Sequence, residues 1–168
     1  MSLARQEFHE NCEAGINAQI NKELGAMYAY MAMANHFSRD DIALSNIASF
    51  FKDSAQEEKE HAEKLMEYQV KRGGRVVLTP IDKPAKTDFD SALDAFQTAL
   101  ALEKYVNKAL LDLHAVSDTH NDYQMSDFLE GEYLKEQVDA IKQLSDYCAQ
   151  LKLVGDGLGV YHFDKTFK

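Results

Sequence analysis

The chain has few of the residues that interrupt helices: only two prolines occur among its 168 residues, Pro80 and Pro84, both within VVLTPIDKPAKTD. Four long segments are therefore free of helix breakers. Cysteine is equally scarce. Cys12 and Cys148 each stand alone, which excludes a thiolate zinc motif and a disulfide framework. Tryptophan is absent, no run of Lys or Arg occurs, and the formal charge is −10, so nucleic acid is excluded as a partner and cations are the natural ligands. No apolar stretch approaches the ~18 residues needed to span a membrane, and MSLARQEFHEN carries no apolar h-region. On these absences the expected compartment is the cytosol, though a processed precursor would look the same, and one domain over residues 1–168 with room for a full core is expected.

The periodicity is helical. A first segment runs from about 10 to 37, with Ile16, Ile20, Met27, Met31, Ala34 and Phe37 on one face. A second, from about 44 to 73, follows Asp40 and Asp41 as candidate caps and stops at Gly73-Gly74. Thr87-Asp88 opens a third, from about 88 to 119, whose inward face carries Phe89, Leu93, Phe96, Leu100, Leu110 and Leu113. The fourth, from about 123 to 153, turns Leu134, Ile141, Leu144, Cys148 and Leu151 inward, and a Gly-rich link leads to a short tail helix over about 157–167. The fold class is all-α, a four-helix bundle.

Short loops join helices one to two and three to four, which makes each pair antiparallel. The middle connection, GRVVLTPIDKPAKT, extends to ~45 Å, against ~42 Å for a helix of ~28 residues. It is long enough to run from one end of the bundle to the other, which would make helices two and three parallel; a loose linker between two helical hairpins is the alternative. Val76, Val77, Leu78 and Ile81 are expected to pack along it, and Tyr161, Phe163 and Phe167 to bury the tail.

Each helix interrupts its apolar seam with a polar residue at a similar height: Glu23 on the first, Glu58 with His61 on the second, Glu103 on the third and Gln137 on the fourth. An ionised carboxylate on such a seam loses its hydration and must be paired, neutralised or bound to metal. No Lys or Arg shares the stripe, so a cation resolves both desolvation and mutual repulsion. Oxygen-rich ligation with one imidazole suits iron or manganese better than structural zinc, and three carboxylates with Glu58 bridging could hold two metals ~3.5–4 Å apart. Tyr30, two turns after Glu23, is either a hydrogen-bond partner of this layer or an aromatic packing residue.

These residues carry a resemblance. INAQINKELGAMYAY, RDDIALSNIASFF, EEKEHAEKLMEYQVKRGGR, ALEKYVNKALLDLH and YLKEQVDAIKQL resemble animal ferritins of the heavy, catalytically active type, over nearly all of the chain from Arg5 to Lys152. The resemblance implies a ferritin-like bundle with one long crossover and a short fifth helix. It implies a homo-oligomeric shell of twenty-four subunits, open to co-assembly with a second ferritin subunit, that oxidises Fe(II) with dioxygen at an intrasubunit diiron centre and stores the ferric mineral. On the matching motifs, Glu23, Glu58 and His61 would ligate the first iron. Glu58 would bridge to a second held by Glu103, with Gln137 beside it and Tyr30 hydrogen-bonded nearby. Ala140, three residues after Gln137, stands where bacterioferritins and diiron oxygenases complete a second Glu-x-x-His, and a weaker second site suits iron in transit.

The resemblance assigns Glu57, Glu60 and Glu63 to mineral nucleation; a solvated acidic face is the alternative. It assigns Asp127 and Glu130, with His114 outside them, to threefold entry channels; acids favoured at a helix start are the alternative there. The link LVGDGLGVYHF is shorter and richer in glycine than the family's pattern, which leaves the C-terminal segment and His162 unassigned. A non-catalytic shell subunit and a diiron oxygenase are the competing functions.

Overall fold

The structure is a computed structural model that describes residues 2–167. Among the described residues there are six α-helices: α1 (Glu10–Phe37), α2 (Ser45–Lys71), α3 (Ala92–Thr119), α4 (Tyr123–Leu129), α5 (Lys135–Val154) and α6 (Leu158–Thr166). A π-helical turn, Glu130–Leu134, joins α4 to α5 without a break, so the three form the fourth rod of the bundle. No strand occurs among the described residues, and none of the described helices is long and apolar enough to cross a membrane.

Two apolar clusters fix the helix directions. One gathers the end of α1 (Met33, Phe37), the starts of α2 (Ile47, Phe51) and α3 (Ala92, Phe96), and the end of α5 (Leu144, Cys148, Leu151). The other gathers the start of α1 (Cys12, Ile16), the ends of α2 (Leu65, Tyr68) and α3 (Leu110, Leu113), and α4 (Met125, Leu129). Thus α1 and α2 are antiparallel, α2 and α3 parallel, and α3 antiparallel to the fourth rod.

The stripe on α1 differs from the periodicity read above at one residue. Met31 is 46% exposed, while Tyr30 and Met33 are buried. Two consecutive four-residue steps rotate an α-helix by about 80° beyond whole turns, and three-residue steps restore the phase. The buried series Ile16, Glu23, Tyr30, Phe37 keeps a seven-residue repeat.

Both expected caps of the middle helices are corrected. α3 starts at Ala92, with Ser91 Oγ accepting from Asp94 N at 3.1 Å, so Thr87-Asp88 belongs to the connection. α2 has Leu44 at its cap and no local side-chain acceptor. Its exposed N–H groups are met from the far end of the chain: Asp164 Oδ1 accepts from Asn46 N at 3.0 Å and Ile47 N at 2.9 Å, and Asn46 Nδ2 donates to the Asp164 carbonyl at 2.7 Å. The tail helix is thereby tied to the start of α2. Phe163 and Phe167 bury beside Phe50, Phe96 and Tyr147, whereas Tyr161 is 55% exposed and takes no part.

α2 stops where expected. Gly73 has φ +79, and a side chain there would also collide with Arg5 N, 2.6 Å from an added Cβ. The crossover that follows is held differently from the expectation. Val77 is 56% and Leu78 67% exposed; only Val76 and Ile81 are partly buried. The grip is polar, from one face of α1. Glu13 Oε1 accepts from Arg75 N at 2.8 Å, Asn17 Oδ1 from Val77 N at 3.0 Å, and Asn21 Nδ2 donates to the Pro80 carbonyl at 3.0 Å. Residues four apart on a helix lie in a row, which suits an extended strand of chain laid along it.

Candidate metal centre

Between the two apolar clusters lies a polar layer. Glu23, Glu58, His61, Glu103 and Gln137 are all buried, one or two from each rod. Glu23, Glu58 and His61 each turn one ligand atom inward, and these atoms lie within 4.8 Å of one another. Glu58 and His61 are three apart on α2, so they share a face, and Glu58 Oε2 sits 3.3 Å from His61 Nδ1. Glu103 closes the other side. It accepts from Tyr30 Oη on one oxygen and from Gln137 Nε2, at 3.0 Å, on the other. Tyr30 is therefore a hydrogen-bond partner of the layer.

The layer is charged only at a cost. Burial pushes the Glu23 carboxyl well above its usual value, and the charge of Glu58 pushes it further; the hydrogen bond from Gln19 pulls the other way. Glu58 is likewise raised well above the carboxylate range, first by burial and then by Glu103. Burial, then Glu103, raises the Tyr30 phenol well above its usual value and keeps it a donor. Glu23 Oε2 is buried without a hydrogen-bond partner, although its other oxygen accepts from Gln19 at 2.7 Å. While a proton is retained, the Glu23 carboxyl shares it with Glu58, and a cation at this point, beside the imidazole, would replace that proton and supply the missing partner.

A cleft of about 210 Å³ opens onto this layer, lined by Tyr30, Glu58, Glu103 and Ala140 within and by Asp53, Glu57 and Gln143 farther out. Glu57 stands at the mouth. Its carboxyl is raised by partial burial and then by the Glu136 charge. Glu60 and Glu63 are not brought to the centre; they are exposed on α2, where Glu60 accepts from Gln56 at 2.9 Å and Glu63 faces Lys59 at 3.5 Å. Asp127 and Glu130 are exposed at the other end, with Glu130 Oε1 2.6 Å from His114 Nε2.

Three neighbours of the centre escaped the sequence reading. Gln19 carries a signal, being buried four residues before Glu23 on the same face. Glu136 carries none: it lies on the exposed side of its helix, yet its Oε1 is 3.3 Å from His61 Nε2. Tyr133 is buried and donates from Oη to the His61 carbonyl at 2.7 Å. Its signal is the spacing Met125, Leu129, Tyr133, Gln137, all buried in steps of four. In an unbroken α-helix three such steps drift by about 120°, and a π turn takes up the drift by adding one residue. The turn lies at Glu130–Leu134, within that series.

Comparison with known proteins agrees with the architecture. The family described as "Ferritin-like domain" matches residues 13–154. Soma ferritin of Lymnaea stagnalis is 58% identical over 165 residues, covering 98% of this chain and 95% of that one. Ferritin heavy chain of Echinococcus granulosus is 54% identical with the same coverage. Ferritin-3, chloroplastic, of Glycine max is 54% identical over 98% of this chain and 66% of its own length.

Proposed function

The chain belongs to the ferritin family, and we propose that it is an iron-storing subunit of the type that also oxidises iron. The observation that carries the reading is the buried trio Glu23, Glu58 and His61, with an orphaned carboxylate oxygen, in the middle of the bundle.

In this reading Fe(II) and dioxygen are substrates. Glu23, Glu58 and His61 hold the first Fe(II). Glu58 bridges to a second, held by Glu103 with Gln137 alongside. Tyr30 and Gln137 fix the Glu103 carboxylate so that it meets the metal without reorganising, and the apolar clusters above and below exclude bulk water. Each Fe(II) supplies one electron to dioxygen, and anionic oxygen ligands favour the ferric product. Protons displaced from Glu23 and Glu58 and released by hydrolysis of Fe(III) leave through the cleft. Only one Glu-x-x-His is present, and Ala140 faces the cleft in place of a further ligand, which suits a product that moves on. Glu57, Glu60 and Glu63 receive it on the way to the mineral, and Asp127 and Glu130 line the entry path.

The same reading makes the chain one of twenty-four in a hollow shell, formed with copies of itself or with a second ferritin subunit, in the cytosol. The test is mineral loading. Repeated additions of Fe(II) in air followed by gel filtration should leave iron co-eluting with the protein as electron-dense cores. Iron that precipitates outside the protein, with none co-eluting, would overturn the storage reading.

A further inference from the structure

Tyr133 touches His61 in two ways that no ligand role requires. Its hydroxyl donates to the His61 main-chain carbonyl at 2.7 Å, and its ring stands edge-on to the imidazole with centroids 5.6 Å apart at 66°. The carbonyl lies mid-helix in α2, where it also serves the helix ladder, so the phenol adds a second donor to an acceptor with two lone pairs. Burial raises the Tyr133 phenol far above its usual value, so it remains a donor under all working conditions. The ring is held in turn by Phe128, 5.6 Å away, and by the Lys64 ammonium, 5.9 Å over its face; Lys64 also pairs with Glu132 at 3.0 Å.

The π turn accounts for this placement. Tyr133 lies inside it, and the residues that emerge from it, Glu136 and Gln137, reach His61 and Glu103 respectively. His61 is thus fixed from three directions. Glu58 faces Nδ1, Glu136 faces Nε2, and Tyr133 holds both the main chain and the ring edge. With Nδ1 beside the trio, Nε2 lies on the far side of the ring, 3.3 Å from the Glu136 carboxylate.

We propose that Tyr133, presented by the π turn, is a positioning residue that fixes the backbone and ring orientation of His61 for metal ligation. This rests on the reading of Glu23, Glu58 and His61 as a metal site. Tyr133 touches no metal and no reacting atom in this account. It acts by holding the one nitrogen ligand of the trio, whose imidazole has no covalent constraint beyond its own two side-chain torsions.

The test uses Co(II) as a redox-stable probe on the assembled, metal-free protein, with wild type, Tyr133→Phe, Tyr133→Leu and His61→Ala compared. Tyr133→Phe removes the hydroxyl and keeps the ring. The expected result is a Co(II) visible spectrum that changes in His61→Ala, and an affinity about tenfold weaker in Tyr133→Phe with altered band intensities. Tyr133→Leu should fall further, and helix content and melting of Tyr133→Phe should stay near wild type. Two results overturn the proposal in different ways. A wild-type spectrum indifferent to His61→Ala removes the metal-site premise and the proposal with it. Dependence on His61, with Tyr133→Phe matching wild type in affinity and spectrum, removes the proposal alone.

Discussion

Tyr30 donates its phenolic hydrogen to Glu103 across the bundle, joining the middle of α1 to the middle of α3 at the level of the candidate metal centre. Both residues are buried, at the inner end of the cleft. Tyr30→Phe leaves Glu103 with Gln137 as its remaining side-chain partner. Fe(II) oxidation should slow by roughly tenfold, the cost of an outer-shell partner, while the fold is retained. Rapid-mixing absorbance and a thermal melt on the same sample check the two halves of this expectation.

The raised carboxyls predict an unusual pH dependence for the metal-free protein. Glu23 and Glu58 bind protons more tightly folded than unfolded, so the stability they contribute is fully present below the unfolded value of 4.5 and is lost as pH rises through their folded values. Glu13, lowered by its hydrogen bond from Arg5, and Asp94, lowered by Lys86, have the opposite sign, and their contribution is lost only as pH falls below the ordinary carboxylate range. Metal-free protein should therefore lose stability as pH rises above the unfolded carboxyl value of 4.5. Glu58→Gln should raise its melting temperature at the higher pH and leave it nearly unchanged at the lower. Added Co(II) should reverse the wild-type trend, because the cation replaces the protons. A melting temperature of Glu58→Gln below wild type at the higher pH would count against a carboxyl held at a cost.

Asp164 is fully buried and is the side-chain acceptor for the start of α2. Asp164→Ala should cost about 2 kcal/mol, the upper range for a lost N-cap, and free α6 from the bundle. Asp164→Asn, which keeps an acceptor, should cost less. Denaturant melts give the energies, and faster proteolysis within 155–167 reports release of the tail.

The bundle was legible because both prolines are confined to one connection and each seam repeats at helical spacing. The polar layer was legible for the same reason: a carboxylate on a core seam contradicts its surroundings, and four such positions fall at one height. What escaped is set by contacts between residues distant in sequence. Nothing near Leu44 announces that Asp164 caps α2 from 118 residues away. Val77 and Leu78 look like packing residues, but extended backbone can be held by side-chain amides, and here Asn17 and Asn21 hold it. Glu136 reaches His61 only because a π turn shifts the helical phase ahead of it.

Ala140 marks the place where a stably held metal pair would need a further ligand, since it lines the cleft beside Glu58 and Glu103. Gln137→Glu combined with Ala140→His should complete a second Glu-x-x-His on the fourth rod. Such a variant should retain about two Co(II) per chain through gel filtration where wild type loses the second, a gain of at least about tenfold in affinity at that site. Equal retention by both would mean that Ala140 does not set the strength of the second position.

The central claim is that the buried trio is where iron is oxidised. The most direct measurement is a single rapid-mixing experiment, with metal-free protein and two Fe(II) per chain in air, on wild type and on Glu58→Ala/His61→Ala. Fast oxidation by wild type and a loss of at least about tenfold in the variant, with the bundle still folded, is the expected result. Equal rates in both would contradict it, and would leave the polar layer as a feature of the fold in a subunit that stores iron oxidised elsewhere.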